Sequence, residues 1–166
     1  MKWWKSKKRE LEKIFEQYAG AMSLYACSFV RDFQMAEDIV QEIFVNLLNN
    51  NQVPQKPKSY LMQAVRNRAF NCQRSPSLKS LDDCTNVWFN QPLEKKEQRE
   101  KLTFALSCLP QEQREVIVLK IWGQLTFKEI AETVHLSPNT TASRYQYGIK
   151  HLREIMTKEF NDDRRL

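Results

Sequence analysis

Apolar residues recur at three- and four-residue spacing through most of this chain, which is the period of amphipathic helices. Leu11, Ile14, Phe15, Tyr18, Met22, Tyr25 and Phe29 predict a first helix from about Lys8 to Val30. Ile39, Val40, Ile43, Phe44 and Leu47 predict a second from about Met35 to Leu48. The run Asn49-Asn50-Asn51-Gln52-Val53-Pro54 breaks it. Tyr60, Leu61, Ala64, Val65 and Phe70 mark a third, from about Pro57 to Gln73. From Ser75 to Pro92 the helical period is lost, and Pro76, Pro92, several serines and two aspartates read as a linker. A fourth helix should begin near Leu93 and end before Leu109-Pro110. A fifth should run from Gln111 to Trp122, with Gly123 at its C′ position.

The last stretch, Leu125 to Arg153, carries the densest local signals. Thr126 and Glu129 have capping-box spacing, so a helix can start at Thr126. Ile130, Ala131 and Val134 give it one apolar stripe, and His135-Leu136 make a tight turn. Ser137 is an N-cap candidate, and Pro138 suits the first helical position. In the next helix Thr141, Tyr145, Ile149, Leu152 and Met156 form an inward seam. That leaves Asn139, Thr140, Ser143, Arg144 and Tyr147 pointing outward near the helix start. A helix-turn-helix offers this end of its second helix to the DNA major groove. Hydroxyls, an amide and an Arg suit phosphates and guanine edges.

Strand-like alternation is scarce and only three glycines occur, so the expected fold is all-α. The expected organisation is two small helical domains, 1–74 and 93–166, joined by a flexible linker over 75–92. The C-terminal domain would hold the helix-turn-helix.

Charge adds a second signal. The chain carries a net charge of +6. From Ile43 through Leu81 it has no Asp or Glu, yet it holds Lys56, Lys58, Arg66, Arg68, Arg74 and Lys79, with Tyr60 and Phe70 interleaved. A solvated basic face would explain this blandly; a nucleic-acid footprint explains it better. The second helix is the opposite. Glu37, Asp38, Gln41 and Glu42 cluster there, and Asp38, Gln41 and Glu42 share one face by their spacing. A solvated polar face and a docking patch for a basic protein both fit.

Other classes find little support. No apolar run approaches the roughly 20 residues a membrane helix needs, and the charged N-terminus lacks the apolar core of a secretory signal. A cytoplasmic location and no membrane insertion are expected. Cys27, Cys72, Cys84 and Cys108 lack metal-ligand spacing, so no metal or other cofactor is expected. Cys27 and Cys108 should be buried, reduced residues. There is no GxSxG, no P-loop and no carboxylate pair in an apolar frame, so an enzyme is not expected.

In this order, the acidic helix, the acid-free helix, the linker and the helix-turn-helix resemble a bacterial RNA polymerase sigma factor. The type is the small extracytoplasmic-function (ECF) branch of the sigma-70 family. The likeness spans about Phe15 to Ile155, apart from the linker. Ala36 to Phe44, AEDIVQEIF, is similar to the family's polymerase-docking helix. Tyr60-Leu61, Val65-Arg66-Asn67 and Arg74 are similar to its promoter-melting helix. Leu109-Pro110, Arg114-Glu115-Val116 and Leu119 resemble the start of its second conserved domain.

The resemblance implies roles. Asp38, Gln41 and Glu42 would dock on polymerase. Asn50, Asn51, Lys58, Arg66, Asn67, Arg68 and Arg74 would hold the melted minus-ten strand. Asn139, Thr140, Ser143, Arg144 and Tyr147 would read the minus-thirty-five duplex. The implied partners are core RNA polymerase, through its β′ clamp and β flap, and promoter DNA. An anti-sigma protein is a further candidate. Three departures stand out: Ala142 where the family often has Lys, His135 where it usually has Gly, and Asn71 in place of an Asp. His tolerates the positive φ such a turn needs better than most residues. The competing readings are a stand-alone helix-turn-helix regulator and an inert adaptor bundle. Both leave the acidic face and the acid-free helix without a task.

Overall fold

The structure is a computed structural model that describes residues 2–73 and 96–162. All its regular elements are helices: α1 (Lys2–Val30), α2 (Phe33–Asn49), α3 (Pro57–Gln73), α4 (Lys96–Ser107), α5 (Gln111–Ile121), α6 (Phe127–Val134) and α7 (Pro138–Asp162). The all-α expectation holds, and α3 has the bounds that its pattern predicts. The proposed linker, Arg74, Cys84 and the expected start of the fourth helix near Leu93 lie outside the described residues.

Local chemistry sets the breaks. α1 begins earlier than its apolar stripe, and it ends where Arg31 turns to φ 53°. Asp32 then caps α2, its carboxylate accepting the Met35 N–H at 3.0 Å. That N-cap is a cheap signal the apolar spacing did not use. α2 ends at Asn50, and Asn51 takes the left-handed conformation, φ 51°.

The core residues of α2 are Ile39, Val40, Ile43, Phe44 and Leu47, as its pattern predicts. On α1, Leu11, Ile14, Met22, Tyr25 and Phe29 are buried, but Phe15 is 40% exposed. On α3, Leu61 and Val65 are fully buried with Met62 and Ala69, whereas Tyr60 and Phe70 stand on the surface. Phe15 departs from the apolar face that spacing gave α1; Tyr60 and Phe70, interleaved with the cations of the basic run, lie outward because the inward face of α3 is narrower than its apolar content. Cys27 is buried, and Cys108 is exposed because α4 ends beside it.

α1 packs against α2 and α3, and α4 and α6 pack against α7; α5 joins the halves by lying against α1, α6 and α7, and α3 joins them again by packing against α6. Six consecutive residues of α5, Arg114 to Leu119, are buried. A helix covered by one neighbour buries only a stripe, so this run means that α5 is enclosed on more than one side. The buried apolar residues of both halves merge into one core.

Gly123 follows the C-cap Trp122 at the C′ position, as expected, but the left-handed conformation falls on Gln124, at φ 53°. Gly123 serves close approach instead: a Cβ there would lie 2.7 Å from the Leu119 carbonyl oxygen and 2.9 Å from a Leu125 methyl. Gly123→Ala should therefore destabilise the fold by about 1–3 kcal/mol through overpacking. A lowered urea midpoint at unchanged slope is the expected result.

Candidate nucleic-acid and partner interface

The helix-turn-helix forms as its capping residues dictate. The Thr126 hydroxyl accepts the Glu129 N–H at 3.2 Å, and the Glu129 carboxylate accepts the Thr126 N–H at 2.7 Å. That backbone bond holds the Glu129 carboxyl below its usual range. His135 ends α6 in the left-handed conformation, φ 58° and ψ 46°. The Ser137 hydroxyl accepts the Thr140 N–H at 3.1 Å, and Pro138 opens α7. Phe127 meets Tyr145 edge-on at 5.5 Å, fixing α6 against α7.

Thr141 is fully buried in the α7 seam, with Tyr145, Ile149 and Leu152 packed against the core. Gly148 belongs to the seam too: a Cβ there would lie 2.8 Å from Ile117. Asn139, Thr140, Ser143 and Tyr147 are exposed, Tyr147 by 62%. Arg144 is not fully outward; it is half-buried, because it lies three residues from Thr141 and borders the seam. The Thr140 hydroxyl is engaged with that of Ser137 at 2.8 Å, so it serves the cap as well as the surface.

Asp38, Gln41 and Glu42 are all exposed on one face of α2. Asp38 accepts a hydrogen bond from Gln34 at 3.2 Å, and Glu42 pairs with Arg68 of α3. Beside them runs an apolar groove of about 430 Å³ between α1 and α2, lined by Phe15, Gln41, Phe44, Val45 and Leu48 among others. Val45, half exposed, follows Gln41 by one turn. The polar face thus carries an apolar margin that charge patterning missed; an off-stripe Val on an otherwise polar face was the available signal.

On α3, Tyr60, Asn67 and Asn71 share one exposed face by their seven- and eleven-residue spacing, with Phe70 at its edge. Lys58 donates to the Gln124 carbonyl of the other half. Asn50 is exposed, while the Asn51 carbonyl accepts from Lys7 at 3.0 Å. Arg68 is partly exposed in its pair with Glu42. Arg66 stacks over the Phe70 ring at 4.6 Å, and its Nε bonds Glu115 at 2.6 Å.

That last bond is the main departure from a simple basic footprint. The Glu115 Oε1 also accepts from the Tyr25 hydroxyl at 2.5 Å, and Glu115 and Tyr25 are both buried. Burial, then the Glu115 charge, raise the Tyr25 hydroxyl well above its usual pKa, so it remains a proton donor. The neighbouring Arg114 donates to the Ser28 and Leu109 carbonyls, each at 3.1 Å. Burial, followed by the charge of Arg31, lowers its pKa to about 10.

Among the described residues no cluster of His, Cys, Asp and Glu could hold a metal, and no helix is long and apolar enough to cross a membrane. What the surfaces offer is two cationic or hydrogen-bonding faces and one acidic one.

Residues 14–75 match Sigma-70 region 2, and residues 99–152 match Sigma-70, region 4. Together these matches span well over half of the chain. The chain belongs to the sigma-70 family of RNA polymerase sigma factors. It is of the ECF type. It is 24% identical over 161 residues to the ECF RNA polymerase sigma factor SigM of Bacillus subtilis, covering 92% of this chain and 99% of that protein. It is 28% identical over 138 residues to the RNA polymerase sigma factor SigV of the same organism, covering 81% and 83%. Its fold is shared with the sigma factor RpoE of Bartonella quintana, solved in complex with the anti-sigma factor NepR. There the TM-score is 0.66 at 19% identity, with 92% and 98% of the two chains covered. In this sigma factor α2 and α3 fall in region 2, and α5 and α6 in region 4.

The turn of region 4 generates a stability prediction. A left-handed conformation costs a residue with a Cβ roughly 1–2 kcal/mol, and Gly avoids that cost. Gly also loses more backbone entropy on folding, which offsets part of the gain. His135→Gly should therefore raise stability by about 0.5–1 kcal/mol. A thermal unfolding midpoint a few degrees higher is expected, with helicity unchanged.

Proposed function

We propose that this alternative sigma factor docks on core RNA polymerase through Asp38, Gln41 and Glu42, and so directs promoter recognition, melting and transcription initiation. The observation that carries the reading is the union, in one chain, of region 2 with an exposed acidic face and region 4 with a capped helix-turn-helix. The polar face of α2 suits a basic helical surface such as the β′ clamp, and the β flap is the partner proposed for region 4. Val45 and Phe15 add apolar contact beside it. Its place of action is the cytoplasm, where polymerase works. The chain supplies binding surfaces to the polymerase and no chemical step of its own. By analogy with the RpoE complex, an anti-sigma protein is a proposed regulator.

The minus-ten strand falls to α3 and the loop before it. Single-strand capture combines cations for phosphates with aromatic faces for unstacked bases. Asn67, Tyr60, Phe70 and Arg68 provide these at the surface; Asn50, Asn51, Lys58 and Arg66 flank them, and Arg74 completes the set in sequence. The minus-thirty-five duplex falls to Asn139, Thr140, Ser143, Arg144 and Tyr147. The stand-alone regulator reading leaves the acidic face of α2 unused.

Two experiments test these roles. Reversing Asp38 and Glu42 to Lys should abolish binding to core polymerase in a pull-down with purified components. Helix content should persist, because exposed charges contribute little to stability. Undiminished binding by the double variant would remove the docking assignment.

Arg144→Ala should relax base preference at one or two minus-thirty-five positions, each contact being worth about 1–3 kcal/mol. An even loss across all sequences would assign Arg144 to phosphate instead. Restoring a cation with Ala142→Lys should raise transcription from weak promoters. Transcription from a promoter library with both variants reads out each outcome.

A further inference from the structure

We propose that a basic row at the start of α1, Lys5, Arg9 and Lys13, holds phosphates of the melted non-template strand where it runs on past the minus-ten element. The proposal rests on the reading, given above, that α3 and the loop before it take the minus-ten strand.

From Lys2 to Arg9 the chain has Lys2, Lys5, Lys7, Lys8 and Arg9 and no acid, with Trp3 and Trp4 among them in sequence. Between Lys5 and Lys13 only Leu11 is buried, and Lys5, Ser6, Arg9 and Lys13 are exposed. Lys5, Arg9 and Lys13 recur every four residues and so form one row along the helix. With Ser6 and Glu10 they line an open cleft of about 600 Å³, three cations to one carboxylate. The row also has an address. Lys7 donates to the Asn51 carbonyl at 3.0 Å, which fixes this part of α1 beside the loop before α3. Asn50 and Asn51 of that loop are the residues assigned above to the minus-ten strand. The match to region 2 starts at residue 14, so the row lies outside the part of the chain shared with that region.

A solvated helix surface is best served by mixed signs one turn apart, because like charges at that spacing repel. Here Lys5 stands one turn from Arg9, and Arg9 one turn from Lys13. A polyanion along the row relieves both pairs. At a rise of ~1.5 Å per residue the row covers ~12 Å. Phosphates of a stacked strand are ~3.4 Å apart, so about three or four of them match three cations. A single strand fits better than a duplex, since the row continues from a single-strand site. Single-strand grooves pair cations with aromatic faces for unstacked bases, and Trp3 and Trp4 bring two aromatics into the same segment. An anionic membrane also attracts segments rich in Lys and Trp. The apolar groove that such a surface would enter beside α1 is lined by Glu12 and Glu16, which repel it. Contact with phosphates carries no sequence preference, so the row adds affinity for the melted promoter without changing which promoter is chosen.

The test uses the full chain bound to core polymerase. The probe is a forked promoter taken from the promoter library. Its non-template strand either ends with the minus-ten element or continues for six thymidylates. Fluorescence anisotropy compares the natural chain with the triple variant Lys5→Gln, Arg9→Gln, Lys13→Gln, and circular dichroism confirms that the variant keeps its helices. The six thymidylates should tighten binding of the natural chain by about tenfold at 0.1 M salt, and the triple variant should lose that gain. On the long probe the variant's slope of log affinity against log salt should be smaller by about two. Both proteins should bind the short probe alike. An equal gain in both proteins overturns the proposal, and so does a natural chain that gains nothing from the longer strand. Equal weakening on both probes gives the row to another partner and overturns the assignment as well. Sedimentation with vesicles of phosphatidylglycerol and phosphatidylcholine supplies the membrane arm. Vesicle binding that the triple variant abolishes, with no change on the long probe, assigns the row to a membrane surface instead. Asn67→Ala tests the premise separately. Unchanged short-probe binding in that variant places the error in the minus-ten reading of α3, while the gain from the longer strand still reports on the row.

Discussion

The arrangement of the whole chain depends on α5 being buried on more than one side. Its two coverings differ in kind. Towards α7 it presents Gln113 and Ile117, the latter seated where Gly148 lets the helices approach. Towards α1 and α3 it presents Arg114 and Glu115, each bonded across the gap. The first contact is apolar and close, and binds α5 into region 4. The second adds these polar bonds to the apolar core that runs through both halves, and with the packing of α3 on α6 it joins region 4 to region 2. A single helix thus packs against both halves. The sequence Arg114-Glu115-Val116-Ile117-Val118-Leu119 encodes this by placing two charges at the head of an apolar run. A pattern search sees a helix start with a polar first turn; the fold sees an interface.

The elements legible in advance were those fixed by short-range chemistry. The capping box at Thr126 and Glu129, the left-handed turn at His135 and the Ser137-Pro138 start of α7 each involve residues within four positions of one another. Such signals do not depend on what packs around them. The inward stripe of α2 was legible for a related reason, since one face of a helix must be apolar wherever its neighbour lies. Illegible features were long-range. Tyr25 and Glu115 are 90 residues apart, and Arg66 and Glu115 are 49 apart. Nothing in local spacing distinguishes a core tyrosine from one whose hydroxyl closes an interface. The exposed Phe15 failed for the complementary reason: apolar character marks a side chain that can be buried, not one that has a neighbour to bury it.

Region 2 shows why a charge count is a poor map of a binding surface. The acid-free segment supplies cations, but the structure gives them different conditions. Arg68 pairs with Glu42 where both side chains are largely in water, 39% and 50% exposed. Such pairs are worth about 0–1 kcal/mol, so a polyanion can displace the carboxylate in place. Arg66 pairs where neither partner is well hydrated, its side chain 18% exposed and that of Glu115 5%, so removing one partner there costs more than at the surface. The two cations lie two residues apart, yet one is paired largely at the surface and the other inside a junction of three helices.

That difference links the two ends of the proposed activity. Glu42 belongs to the face assigned to polymerase docking, and its partner Arg68 belongs to the face assigned to the DNA strand. A polymerase surface that claims Glu42 necessarily releases Arg68. Glu115 instead holds Arg66 inside a junction of α1, α3 and α5. Both acids occupy cations of the acid-free segment that would otherwise face a phosphate. The competition needs no long-range signal, only the fact that one carboxylate cannot serve two cationic surfaces at once.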